Sequence, residues 1–384
     1  MIPYGRQDIT ESDIKAVKEV LSSDFLTQGP KVPEFEKTVS SYCNSKYALA
    51  VNSATSALHI ACLALGVRKG DIVWTSANTF VASSNCALYC GAQIDFIDIN
   101  ENDFNISIDS LEQKLKEAKS QGTLPKVLIP VHMCGKSCDM KNIKYLSDKY
   151  GFKIIEDASH AVGGKYNDYK VGSCEYSDIT VFSFHPVKII TTGEGGMALT
   201  NDQTLYNLMS LYRSHGITRD KSMMDKKAIS EWYYEQHVLG FNYRMTDIHA
   251  ALGISQFKRI DQYVVDRNNI AIKYQEMLAN LPLKLPFIDQ SILSSFHLYV
   301  VRLEDDIIDE RDRVFSKLRE KNILVNLHYI PVYLHPYYQK IGFNKGYCPN
   351  AEVFYKSAIS IPIFPRLSSK DQSYIVNEIK KIIT

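Results

Sequence analysis

Between Tyr47 and Thr200 the chain alternates short apolar runs with segments whose apolar residues return every three or four positions. The short runs read as buried strands: Ala48–Asn52, Ile72–Ser76, Gln93–Asp98, Val127–His132, Lys153–Asp157, Ile179–Phe184 and Gly196–Thr200. The others read as amphipathic helices, as in Leu111–Ala118 and Met140–Tyr150. Apolar strands of this kind need cover on both faces. The alternation therefore predicts an α/β fold, a mostly parallel central sheet between two layers of helices. Ligands of such sheets collect beyond the carboxyl ends of strands, which directs attention to strand-end residues.

Before this core, Thr10-Glu-Ser-Asp13 has the form of a capping box, opening a helix with Ile14, Val17, Val20 and Leu21 on one face. After it, Ile217–Gln236 is polar and charged, a long excursion or a flap. A single helix from Thr246 to about Leu278 is expected to lead into a second domain. There His297–Leu303, helical Arg311–Lys321 and Ile323–His328 suggest a smaller α+β unit, with Glu304–Glu310 as a solvated face. The expected division is an N-terminal arm and large domain over 1–250, then an interdomain helix and small C-terminal domain over 251–384.

Composition narrows the field. The chain has 384 residues, 45% hydrophobic and 23% charged, enough for more than one domain with a sizeable core. A formal net charge of +1 gives no overall field for nucleic acid or an anionic membrane, and neither is expected as a partner. Met1-Ile-Pro-Tyr-Gly-Arg6 lacks the features of a signal peptide, and the longest apolar stretch, Ala57–Val67, is too short to span a bilayer. A cytoplasmic protein is expected. Cys86 and Cys90, and Cys134 and Cys138, form C-x3-C pairs without C-x2-C spacing or an H-x3-H partner. They read as small buried hydrophobes, so neither a metal nor a disulfide is expected.

Candidate chemistry gathers at the strand ends. Ser183-Phe-His-Pro-Val-Lys188 leaves an apolar strand, and Thr191-Thr-Gly-Glu-Gly-Gly196 leads into the next. A lysine held there, away from free solvent, loses its proton and attacks a carbonyl, although most lysines are solvated surface charges. Val51-Asn-Ser-Ala-Thr-Ser-Ala57 ends a strand and opens a helix. Its small residues let backbone N–H groups close on a phosphate, and the same pattern serves as a plain cap. Asp157 closes a buried strand and needs a partner, either the next helix's N–H groups or a cationic ring nitrogen. His160 faces the same ring or fills core. Ser183 can reach a phosphate while Lys188 reaches an aldehyde carbon. Phe80 is a stacking candidate for a planar ring, although an isolated aromatic is more often core.

Asn52-Ser-Ala-Thr-Ser56, Glu156-Asp-Ala-Ser-His160, Ser183-Phe-His-Pro-Val-Lys188 with Gly193-Glu-Gly-Gly196, and Gly240-Phe-Asn-Tyr-Arg-Met-Thr-Asp247 occur in order. Together they resemble the DegT/StrS-type sugar-nucleotide aminotransferases over essentially the whole chain. That family uses pyridoxal 5′-phosphate on the aspartate-aminotransferase-like fold type I. Ile2-Pro-Tyr-Gly-Arg-Gln-Asp-Ile9, Ser23-Asp-Phe-Leu-Thr-Gln-Gly-Pro30 and Asn326-Leu-His-Tyr-Ile-Pro-Val-Tyr333 resemble one branch of it. That branch aminates C4 of a UDP-linked 4-keto-6-deoxy-N-acetylhexosamine on the route to pseudaminic acid.

The resemblance implies Lys188 as the Schiff-base lysine and Asp157 on the pyridine nitrogen. It puts His160 near the phenolic oxygen, Phe80 against the ring, and Ala54, Thr55 and Ser183 on the phosphate. It also implies a homodimer in which Asn242 reaches the phosphate of the second subunit. Tyr4, Asp24, Phe25, Leu26, Thr27, Asn326, Leu327, His328 and Tyr329 match positions lining the sugar-nucleotide pocket, and L-glutamate is the implied amino donor. Some relatives are dehydratases with histidine in place of the lysine, so Lys188 favours transamination. Arg244 and Arg213 are both candidates for the donor carboxylate. The rival readings are an aminotransferase for a dTDP- or GDP-linked keto sugar, a non-catalytic cofactor or sugar sensor, and a zinc-dependent or disulfide-stapled binding module.

Overall fold

A computed structural model describes residues 1–226, 230–289 and 291–384. All seven expected strands form one sheet: β1 (Tyr47–Val51), β2 (Ile72–Ser76), β3 (Gln93–Ile97), β4 (Val127–Ile129), β5 (Lys153–Asp157), β6 (Ile179–Ser183) and β7 (Gly196–Thr200). Their spatial order is β1-β7-β6-β5-β4-β2-β3. All neighbours run parallel except β7, which is antiparallel to both β1 and β6. Strand β4 ends earlier than its apolar run because Pro130 follows, and proline has no N–H for a ladder.

Alternate residues of the strands enter opposite cores, the period-2 consequence of the pleat. Leu49, Val51, Val181 and Ala198 pack on one side, under the helices α3 (Ala54–Ala64), α4 (Ala82–Tyr89) and α7 (Gln203–Arg213). Ala48, Ala50, Phe182, Met197 and Leu199 pack on the other, with Phe35 and Val39 of α2 (Lys31–Cys43). Farther along that face Trp74, Leu128 and Ile154 meet α5 (Ile108–Gln121) and α6 (Met140–Tyr150). The mostly parallel α/β sandwich of fold type I is thus present.

The capping box holds: Thr10 caps α1 (Glu11–Leu21), with Asp13 reaching back to the Thr10 N–H. The expected face of that helix is only partly covered, since Val20 is buried while Ile14 and Leu21 are exposed. The long helix expected from Thr246 is two helices, α8 (Asp247–Phe257) and α9 (Ile260–Leu278). The chain turns at Lys258 and Arg259. Arg259 and Gln256 both donate to the buried Asp13 carboxylate at 2.7 and 2.8 Å, an anchor 243 or more residues away in sequence.

Beyond α9 a three-stranded antiparallel sheet has β9 (Tyr299–Leu303) between β8 (Leu283–Lys284) and β10 (Ala358–Ile361). Its core is shared with α9, α10 (Arg311–Glu320) and α11 (Ser369–Ile383). Ile2 and Pro3 pair in parallel with Ile323 and Leu324, so the chain start returns to this unit. Val332, Tyr333, Tyr338 and Phe354 instead pack into the core of the large sheet. The excursion closes as a small hairpin, Ile217–Thr218 against Glu235–Gln236; its residues 227–229 lie outside the described residues. Among the described residues no helix is long and apolar enough to cross a membrane, and all eight cysteines are free thiols.

Candidate active site

The carboxyl ends of β1, β5 and β6 open into one cavity of about 820 Å³. Gly196 opens β7 opposite both Val51 and Ser183, so the ends of β1 and β6 flank the start of β7. A Cβ at Gly196 would lie 2.5 Å from the Ala54 nitrogen, so only glycine lets the start of α3 come this close. Ser53 caps α3 by accepting from the Ser56 N–H at 3.1 Å. The first-turn residues Ala54 and Thr55 line the cavity with Ser183. A helix start of this kind offers unpaired N–H groups and a positive dipole end to an anion.

Lys188 lies in the return between β6 and β7, its N–H bonded to His185 O at 2.9 Å. Burial lowers its amine to about 8, against the opposing pull of Asp157. Asp157, at the end of β5, is 5% exposed and fully engaged. Its Oδ2 accepts from Ser83 Oγ at 2.6 Å and its Oδ1 from the Ser159 N–H at 3.1 Å. His160 Nε2 faces Tyr329 Oη at 3.1 Å, while its buried Nδ1 has no partner. Burial first, then Lys188 and His328, hold that imidazole neutral.

The opposite wall belongs to the C-terminal unit and the returning chain start. Tyr4, Asn326, Leu327, His328 and Tyr329 line it. His328 is fixed by Ser360 Oγ at 2.8 Å and held near 3 by burial and by Lys188. Tyr329 is anchored through its N–H to Asn78 at 2.9 Å, and the Tyr4 ring packs at a tilt 5.1 Å from the His328 ring. Phe80 sits at the mouth, 58% exposed and 6.1 Å from Tyr329.

Twelve of the expected residues therefore share the cavity, and five do not. Asp24, Phe25, Leu26, Thr27 and Asn242 lie outside it. Thr27 bridges Thr246, Leu26 O accepts from the Asp247 N–H, and Gly29 lies against the Asp247 carboxylate. These contacts tie the 24–29 segment to the start of α8, on the same strip as Asn242, which is exposed and bridged to Ser214. Neither candidate arginine reaches the cavity. Arg213 is bound to Glu36 at 2.7 Å and to Ala50 O at 3.0 Å, and Arg244 is bridged to Val51. Sequence reading missed Ser83, Asn78, Glu194 and His297. Two of them left a local signal: Glu194 lies in the Gly193–Gly196 motif, and Ser83 is a hydroxyl four residues after Thr79 at the start of an apolar helix.

This fold and this lysine-aspartate cavity define a fold type I pyridoxal-phosphate enzyme. The chain belongs to the DegT/DnrJ/EryC1/StrS aminotransferase family, whose profile matches residues 7–380. It is 38% identical over 384 residues to the UDP-4-amino-4,6-dideoxy-N-acetyl-beta-L-altrosamine transaminase of Campylobacter jejuni, covering 100% of this chain and 98% of that one. Among solved structures it matches Helicobacter pylori PseC, an aminotransferase involved in the biosynthesis of pseudoaminic acid. That match has a TM-score of 0.90 and 31% identity, and covers 100% of this chain and 99% of PseC. A Streptococcus pneumoniae protein solved in its PLP form gives a TM-score of 0.89 at 29% identity, covering 100% of both chains. The protein is a pyridoxal-phosphate-dependent sugar aminotransferase. Its cavity fits that cofactor: a helix start that only Gly196 permits, a buried unpartnered His160 nitrogen, and a buried lysine whose amine is lowered to about 8.

Proposed function

We propose that the enzyme moves the amino group of L-glutamate to C4 of a UDP-linked 4-keto-6-deoxy-N-acetylhexosamine, a step of pseudaminic acid biosynthesis. The observation that carries the chemistry is the buried Lys188 amine, lowered to about 8, in one cavity with Asp157 and His160. The sugar assignment draws on the C. jejuni transaminase and on PseC, both aligned over the full chain.

When bound, pyridoxal 5′-phosphate supplies an aldehyde for amine capture and an electron sink for charge left on carbon. Lys188, as the neutral amine, takes the α-proton of glutamate and later returns a proton on the way to the amino sugar. Asp157, oriented by Ser83 Oγ and the Ser159 N–H, would keep the proton on the ring nitrogen. Ala54, Thr55 and Ser183 would hold the phosphate, Phe80 would lie against the ring, and neutral His160 would border the phenolic oxygen. Tyr4, Asn326, Leu327, His328 and Tyr329 wall the sugar side. Glutamate leaves as 2-oxoglutarate before the keto sugar reacts, so kinetics are ping-pong.

The working form is a homodimer in which Asn242 reaches the partner's phosphate, and the Asp24–Thr27 segment shares that edge. The domain division falls near residue 250. The deciding experiment is NMR of the product formed from glutamate and the UDP-linked 4-keto sugar, beside dTDP- and GDP-linked analogues. A 4-amino product from the UDP sugar is expected; turnover confined to a dTDP or GDP sugar, or amination at C3, would overturn the substrate assignment.

A further inference from the structure

One buried imidazole of the cavity has no part in the roles above. His297 is 3% exposed and lines the cavity, and its ring centroid lies 4.4 Å from that of His160 at 48°. Neither ring has a partner at Nδ1, so the two rings meet by packing. The backbone that carries His297 is secured from both sides. Ser295 donates from its N–H to Gly135 O at 3.1 Å and from Oγ to His160 O at 2.7 Å, and the Leu298 N–H reaches Cys134 O at 3.3 Å. From α9 the buried Arg267, which has no carboxylate partner among the described residues, donates to the carbonyls of Phe296, His297 and Ile363 at 3.1, 3.4 and 3.1 Å. All three bonds come from Nη1, so this one buried nitrogen ties the carbonyls of Phe296, His297 and Ile363 together.

We propose that His297 is a positioning residue of the aminotransferase site: its ring forms the wall that holds His160 with Nε2 on Tyr329 and Nδ1 free. The inference rests on the reading that His160 borders the cofactor. Charge supports the geometry. Burial, then His160, Lys188, Arg267 and His328, keep His297 neutral, and two imidazoles this close disfavour a proton on either. Lys188, Asp157, Tyr329, His328 and Arg267 are the other ionisable groups around the pair.

The test compares His297→Ala and His297→Phe with His160→Asn and the double variant His160→Asn/His297→Ala, each loaded with pyridoxal 5′-phosphate. Two quantities are read: kcat against KM for L-glutamate, and the pH at which the visible absorption of the bound cofactor changes. His297→Ala should lower kcat about tenfold, leave KM within about twofold, and move the absorption transition by roughly half a pH unit or more. His297→Phe, which restores a ring at the contact, should return kcat to within about threefold of wild type. In the double variant the effects should fall well short of additive, because His297 acts through His160. Wild-type behaviour of His297→Ala, full additivity, or a His297→Phe variant as impaired as His297→Ala would each overturn the proposal. Should His297→Ala lose its fold or its cofactor, His297→Asn replaces it with the same expected and contrary results. If His160→Asn leaves the absorption transition in place, the reading of His160 itself fails. If it moves the transition and His297→Ala does not, only the role of His297 falls.

Discussion

At the scale of single residues the governing quantity is the protonation of Lys188. Burial lowers the amine to about 8 although Asp157 pulls it the other way. The neutral amine is the nucleophile, so capture of pyridoxal 5′-phosphate by the apoprotein should speed up as pH rises through about 8 and level off above it. Stopped-flow absorbance reads this directly; a rate flat between about pH 6.5 and 9 would contradict it. Lys188→Ala should abolish the capture signal and lower kcat by about four orders of magnitude. Ser83 supports Asp157 by donating to its Oδ2 at 2.6 Å, which fixes the orientation of the carboxylate. Asp157→Asn should cost several orders of magnitude in kcat, roughly 10³-fold, and Ser83→Ala roughly tenfold. Steady-state kinetics with glutamate measure both, and an Asp157→Asn enzyme within a factor of about ten of wild type would remove the electron-sink role.

At the scale of elements, helix α3 and strand β7 are locked in register by a missing side chain. A Cβ at Gly196 would lie 2.5 Å from both the Ala54 nitrogen and the Ser53 carbonyl carbon. Both are backbone atoms and cannot rotate away. Gly196→Ala must therefore push the helix start off the strand, costing about 1–3 kcal/mol of stability. The same shift withdraws the Ala54 and Thr55 N–H groups, so cofactor affinity should fall at least about tenfold. Urea unfolding and a cofactor titration check the two effects separately. Elements of this kind were legible in the sequence because their causes are local. Apolar runs fixed all seven strands to within a few residues, and Thr10 with Asp13 marked the start of α1. The break between α8 and α9 was not legible, since nothing near Lys258 ends a helix. Asp13 ends it from the far end of the chain by holding Arg259 and Gln256.

At the scale of the whole molecule the site is assembled from parts that sequence order keeps far apart. Ile2 and Pro3 pair with Ile323 and Leu324, which puts Tyr4 beside His328. The residues that family motifs carry were legible for that reason. Those recruited from the chain beyond α9, His297 and Ser360 among them, had no mark in their own surroundings. Arg213 shows the opposite error: an arginine in a suggestive place is consumed by Glu36, 177 residues earlier. The proposed dimer gives the sharpest test at this scale. Lys188→Ala and Asn242→Ala subunits, each impaired alone, should regain activity when mixed after mild dissociation. One site of each hybrid then has both residues intact and the other has neither. Persistent inactivity of the mixture, with hybrids confirmed by native mass spectrometry, would place Asn242 outside the partner's site.

Strand β7 runs against its neighbours, and this has a consequence for how the enzyme fails. The Lys188 segment joins adjacent strands, and its neck is tied by the Phe184 N–H on Gly195 O at 2.9 Å and the Thr192 N–H on Phe184 O at 3.0 Å. Both residues are fully buried where β6 ends and β7 begins, between interior strands of the sheet. Deuterium should enter their amides only at the rate of global unfolding, long after the two-residue pairing of Ile217–Thr218 with Glu235–Gln236 has exchanged, so a heated sample would keep its reactive amine in place until the sheet itself gives way.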